Sequence, residues 1–162
     1  MIETEPLLSA GFLATLCVLC GSVAFIDFRY GIIPDRLNLA IAAVGLIKSV
    51  FADGAIIGIE TALASVVVGI TFWLLRRLYF TLRNIQGLGL GDVKFLAAAT
   101  PWVGITGIPV LLLIAALTAL IAIGGAQLAG QNVTRQTMLP FGPFLAAGLL
   151  LALAAQQALG LV

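Results

Sequence analysis

Two aspartates are placed where a carboxylate needs a reason. Asp27 lies in "AFIDFRYGIIPDRLNL" and Asp92 in "NIQGLGLGDVKFLAAAT", each at a junction between an apolar run and a glycine- or proline-containing loop. Ionisable groups at membrane depth are costly and by default point to function. Two carboxylates close together cannot both ionise cheaply, so one of them holds a proton near neutral pH. Such a pair, with water between its members, can hydrolyse a peptide bond. The ionised member takes a proton from water while the protonated member donates to the carbonyl oxygen. The bland reading of Asp92 is that the glycines end a loop and the aspartate caps a helix. Spacing alone leaves both readings open.

The remaining five of the seven acids have simpler expectations. Glu3 and Glu5 belong to an N-terminal tail, and Asp53 to a turn in "FADGA". Asp35 follows Pro34 and is expected to cap the second helix. Glu60, roughly 9 Å into the third apolar run at 1.5 Å per residue, is expected to pair with Lys48. Gly89 and Gly91 can take backbone angles closed to other residues and admit another chain, so a substrate strand could lie beside Asp92. There are no histidines, and the two cysteines, Cys17 and Cys20, both lie inside an apolar run. A tetrahedral zinc site needs four ligands, so neither a metal nor a cofactor is expected, and both cysteines are read as packing residues.

The elements that position Asp27 and Asp92 follow from composition. Of 162 residues 62% are hydrophobic and 9% charged, and mean hydropathy is +1.19, whereas soluble domains are about 45–50% apolar and about 25% charged. The expectation is an all-α integral membrane protein, a single transmembrane domain over residues 1–162, embedded in a lipid bilayer. A span takes roughly 20 apolar residues, which allows about six helices. Apolar runs place them near 7–26, 37–52, 55–75, 93–104, 108–128 and 140–160. The net charge of +1 and the lack of a basic run give no grip on nucleic acid. "MIETEPLLSA" has no basic segment ahead of its apolar run, so the first run is read as a retained span rather than a cleaved signal.

Basic residues set the orientation. If the acidic N-terminus lies outside, the inner loops hold Arg29, Arg36, Arg76, Arg77, Arg83, Lys94 and Arg135, and only Lys48 is left on the outer half. Both termini then face away from the cytoplasm, and Asp27 and Asp92 share the cytoplasmic ends of their spans. The fourth run is anomalous. Residues 93–104 would rise only about 18 Å as a helix, against a hydrocarbon core of about 30 Å, and "TPWVGITGIP" then interrupts it. Either this helix is short and buried in protein, or the bilayer thins around it.

Three patterns together resemble the type IV prepilin peptidase family of G-x-G-D membrane aspartyl proteases. They are Asp27 followed by "FRYGIIP", then Gly89-Leu90-Gly91-Asp92 with Lys94 two residues on, and "LPFGPFLAAG" at the start of the sixth run. The resemblance maps the family's catalytic aspartates onto Asp27 and Asp92 and its signature glycines onto Gly89 and Gly91. It implies cleavage of a short basic leader from prepilins at the cytoplasmic face of the inner membrane, without a cofactor. Substrate contacts fall, with less weight, on Gly89, Gly91, Lys94, Pro140, Phe141, Gly142 and Pro143. The bland reading of the last group is a proline-started helix.

Larger members of that family carry paired C-x-x-C motifs in an extra cytoplasmic region linked to methylation of the new pilin N-terminus. Here "CVLC" sits within the first run. The expectation is a peptidase without methyltransferase activity, similar to the short members that serve Flp or tight-adherence pili. The archaeal preflagellin peptidases share the pattern. The alternatives from other classes are a small transporter or proton relay using Asp27 and Asp92, and a non-catalytic assembly factor. Against the relay, both acids sit at one face and no inverted repeat is visible.

Overall fold

In the computed structural model, which describes residues 4–83, 88–128 and 140–159, the chain is all helix apart from its connections. The order is α1 (Thr4–Tyr30), α2 (Asp35–Asp53), α3 (Ala55–Arg83), α4 (Leu90–Leu128) and α5 (Gly142–Ala158). Among the described residues three segments, Leu8–Tyr30, Ala55–Arg83 and Leu90–Leu128, are long and apolar enough to cross a membrane, and Gly142–Ala158 is a shorter apolar helix. The α2 helix, carrying Asp35, Arg36, Lys48 and Asp53, falls outside that set.

The first loop is built from its sequence. Gly31 takes a left-handed φ of 67° and its N–H closes back on the Asp27 carbonyl at 2.8 Å, a glycine helix end of the αL type. Pro34 disfavours helix at the residue before it, and α2 then begins with Pro34 as its N-cap. The Pro34 carbonyl accepts the N–H groups of Leu37 and Asn38. Asp35 is therefore not the cap that its position suggested: it is the first helical residue and makes no capping bond.

The fourth and fifth apolar runs are one helix interrupted at Gly104, whose φ of 69° and ψ of 173° are non-helical. Its first segment, 90–103, is the centre of the molecule. Phe95, Leu96, Ala99 and Thr100 are fully buried, and Trp102 and Val103 nearly so. Of the two expectations for this short run, burial in protein is the one found. Neighbouring helices satisfy its polar groups. The Trp102 indole Nε1–H donates to the Ile41 carbonyl at 2.9 Å, across a crossing where a Cβ on Gly45 would lie 2.6 Å from that nitrogen. Past the break, the Gln156 side-chain amide donates to the Val103 carbonyl at 2.9 Å, replacing a helical bond the break removes. Gly148 sits against the Leu111 carbonyl, a close approach of the kind small residues permit between membrane helices.

Two pairings differ from expectation or refine it. Lys48 lies 6.0 Å over the Trp102 ring while Glu60 is exposed. Among the described residues no ion pair joins them: Lys48 is on the α2 side that meets α4, where the indole face attracts its ammonium. Cys20 is buried and Cys17 exposed, both as free thiols.

The Gly104 backbone lies in a region open essentially to glycine, where other residues cost about 1–3 kcal/mol. Gly104→Ala should lower unfolding stability in detergent by about that amount, measured by denaturant titration. Gly11→Ala, where an added Cβ meets nothing within 4 Å, should leave it unchanged or slightly higher.

Candidate active site

Asp27 sits in the last turn of α1 and is 5% exposed. Its Oδ2 accepts the Gly142 backbone N–H at 2.7 Å. Gly142 opens α5, so this donor is one of the N–H groups that a helix start leaves without a helical partner, and the bond is charge-assisted when the carboxyl is ionised. A Cβ on Gly142 would fall 2.7–2.8 Å from the Asp27 side chain. The neighbouring residues shape this helix start. The Phe141 carbonyl accepts the N–H groups of Phe144 and Leu145, Pro143 occupies the first turn, and the Phe141 and Phe144 rings lie 6.3 Å apart. Pro140 is partly buried at the edge of the described segment.

Asp92 comes at the third position of α4. Its Oδ2 accepts the Gly89 N–H at 3.3 Å, while the Gly89 carbonyl accepts the Val93 N–H at 3.3 Å. Gly89 thus acts as the N-cap and Asp92 reaches back to it, the reciprocal half of a capping box. The capping reading of Asp92 is correct as geometry. It occupies one carboxylate oxygen. The other makes no protein hydrogen bond among the described residues, which leaves it available for water.

The glycines here serve a purpose other than the expected one. Positive φ among the described glycines occurs at Gly31, Gly54 and Gly104, not at Gly89 or Gly91. What they provide is room. A Cβ on Gly89 would lie 2.9 Å from Asp92 Oδ2, and one on Gly91 would lie 3.2 Å from the Ile33 side chain. The end of this loop is held from two further sides: Arg76 Nε donates to the Leu88 carbonyl at 2.9 Å, and Asn38 Nδ2 approaches the Gly91 carbonyl at 3.5 Å.

Asp27 lies near enough for its charge to bear on Asp92, although α1 and α4 do not pack on one another directly; α5 packs against both. Residues 65 positions apart are thus brought to the same region of the molecule, and each is anchored by a backbone N–H. Lys94 is turned to other work. Its Nζ contacts both Asp35 oxygens at 2.7 Å, with both side chains substantially exposed. This pair stands at the mouth of a groove of about 600 Å³ between α2, α3 and α4. The sequence reading missed Gly142 as a direct partner of Asp27, and also the anchoring by Arg76 and Asn38. For Asn38 a signal existed: it shares a helical face with Ile41, Gly45 and Ser49, all buried, and a polar amide heading an inward-facing stripe calls for a partner.

Two backbone-anchored aspartates on apolar helices, one of them in a G-x-G-D sequence, make up this candidate site. The chain belongs to the type IV leader peptidase family, whose model matches residues 14–124 and so includes both aspartates. It is 35% identical over 134 residues to a prepilin leader peptidase/N-methyltransferase of Burkholderia pseudomallei, a match covering 82% of this chain and 42% of that protein. The Escherichia coli K12 protein of the same name is 32% identical over 146 residues, covering 88% and 62%. Leader peptidase HopD of Escherichia coli is 38% identical over 130 residues, covering 75% and 77%. The chain therefore spans less than half the length of the Burkholderia relative. No solved structure matches the chain.

Because Gly142 packs against the Asp27 carboxyl, Gly142→Ala should push that carboxyl out of place. Overpacking of this kind costs about 1–3 kcal/mol, so the exchange should lower unfolding stability in detergent by about that amount, measured by denaturant titration. Gly124→Ala, where an added Cβ meets nothing within 4 Å, should not.

Proposed function

We propose that this chain is a membrane aspartyl endopeptidase that removes the basic leader from type IV prepilins of the Flp kind, with Asp27 and Asp92 as its acid and base. What supports this reading is that both aspartates lie at helix ends, Asp27 in the last turn of α1 and Asp92 in the first turn of α4, each bonded to a backbone N–H, with the charge of Asp27 bearing on Asp92. The ionised aspartate accepts a proton from a water held between the pair, and the water oxygen attacks the scissile carbonyl carbon. The protonated aspartate donates to the carbonyl oxygen. Collapse of the gem-diol returns a hydroxyl proton to the second aspartate and breaks the C–N bond, and the leaving amine takes the proton that the first aspartate had accepted from water.

The substrate chain passes over Gly89 and Gly91 on one side and over Pro140, Phe141, Gly142 and Pro143 on the other, while Lys94 is held by Asp35. In this reading six helical segments, counting both parts of α4, lie in the inner membrane. The site end, with Arg29, Arg36, Arg76, Arg77, Arg83 and Lys94, faces the cytoplasm, and both termini face away from it; Arg135 lies outside the described residues. Arg77 stacks over Trp73 at 5.4 Å, in keeping with an aromatic and basic belt at that interface. The reading covers cleavage without methylation by these 162 residues, whose two cysteines both lie within α1.

Co-expression with a Flp-type prepilin, scoring leader removal on a gel, tests the proposal. Asp27→Asn and Asp92→Asn should each reduce cleavage to background while the protein stays in the membrane at wild-type abundance. Wild-type cleavage by either variant would sink the paired-aspartate mechanism. Proton movement across vesicles without any cleavage would favour a relay instead.

A further inference from the structure

Asn38 has a spare acceptor beside the candidate site. The side chain is 5% exposed, its Nδ2 reaches the Gly91 carbonyl at 3.5 Å, and its Oδ1 is buried with no hydrogen-bond partner among the described residues. A buried acceptor without a donor carries a desolvation cost, and such groups are few in folded proteins, each with a cause. Asn38 also forms part of the wall of the groove between α2, α3 and α4, with Asp35 and Lys94 at its mouth and Ser65, Gly69 and Ala97 further along. Asp35 and Lys94 satisfy one another, and the Ser65 hydroxyl donates to the Thr61 carbonyl. That leaves the Asn38 oxygen, buried behind this wall, as its side-chain acceptor without a partner among the described residues, on a side chain whose other end meets Gly91, the residue before Asp92.

A peptide held for hydrolysis away from water must place its own backbone N–H groups on acceptors. We propose that Asn38 is a substrate-binding residue. Its Oδ1 takes a backbone N–H of the substrate segment laid in the groove, while its Nδ2 holds the Gly91 carbonyl. One amide thereby sets the spacing between the substrate chain and the loop that carries Asp92. The present bond to Gly91 is at the long limit for a hydrogen bond, so a small turn of the amide that brings Oδ1 to the groove can keep Nδ2 within reach of the Gly91 carbonyl. This inference rests on the leader peptidase reading and assigns that site a specific contact.

The test uses the full chain in detergent micelles and a synthetic prepilin segment covering the leader, the cleavage site and the first turns of the apolar helix. Asn38→Leu keeps the size and removes both polar functions; Asn38→Asp keeps an acceptor. The leucine variant should lose roughly five- to tenfold in kcat/KM, chiefly through KM, and the aspartate variant should recover part of it. Substrates in which single backbone amides near the scissile bond are replaced by esters then locate the contact. One ester should penalise the wild type by a similar factor and Asn38→Leu not at all, since coupled partners do not add. Wild-type efficiency in Asn38→Leu would overturn the inference. So would ester penalties equal in both enzymes at every position, the result expected of a purely structural amide. A different pattern, in which the wild type leaves the segment intact or Asp92→Asn cleaves it normally, would bring down the peptidase reading and this inference with it.

Discussion

A carboxyl group at the end of a membrane helix has to find donors inside the protein, and Asp27 finds one in the Gly142 N–H. That single bond joins the last turn of α1 to the first turn of α5, elements 115 residues apart in sequence. It explains why glycine stands at the head of α5, since any side chain would occupy the space of the carboxyl. A helix start supplies such a donor at no cost to its own bonding, because its first N–H groups have no helical partner.

The second aspartate depends on a helix that could not stand alone in lipid. The first segment of α4 is too short to cross a bilayer and is interrupted at Gly104, so its polar groups, side chain and backbone, must be satisfied by protein. Burial among α2, α3 and α5 does this, through Trp102 to the Ile41 carbonyl and Gln156 to the Val103 carbonyl. Because the segment is surrounded, its N-terminal end is held from several sides: Arg76 from α3, Asn38 from α2 and Ile33 from the first loop all meet the residues that precede or include the G-x-G-D sequence. The depth and direction of Asp92 follow from that enclosure.

Capping and chemistry are compatible at Asp92. A carboxylate has two oxygens, and a capping bond to Gly89 uses one. The bond restrains the side chain and leaves the second oxygen without a protein hydrogen bond among the described residues. Asp27 likewise has one oxygen on a backbone N–H, that of Gly142. Both members of the pair are thus oriented by backbone groups whose positions depend on helix starts rather than on flexible side chains.

The all-helical, apolar character of the chain, the anomaly of its fourth run and the two aspartates were all legible in the residue order, because hydropathy and helix breaking are local properties. So was the turn at Asp53-Gly54. What only the tertiary structure decided were the partners. Asp35 pairs with Lys94 instead of capping its helix, Lys48 turns to Trp102 instead of Glu60, and Gly89 and Gly91 provide room instead of unusual angles. Each of these depends on which residue of a distant helix comes within about 3–6 Å, a distance set by how five helices cross. Spacing along the chain carries no record of that crossing, and so Gly142 read as a substrate contact or a plain helix start, not as a partner of Asp27, until α1 was laid beside it.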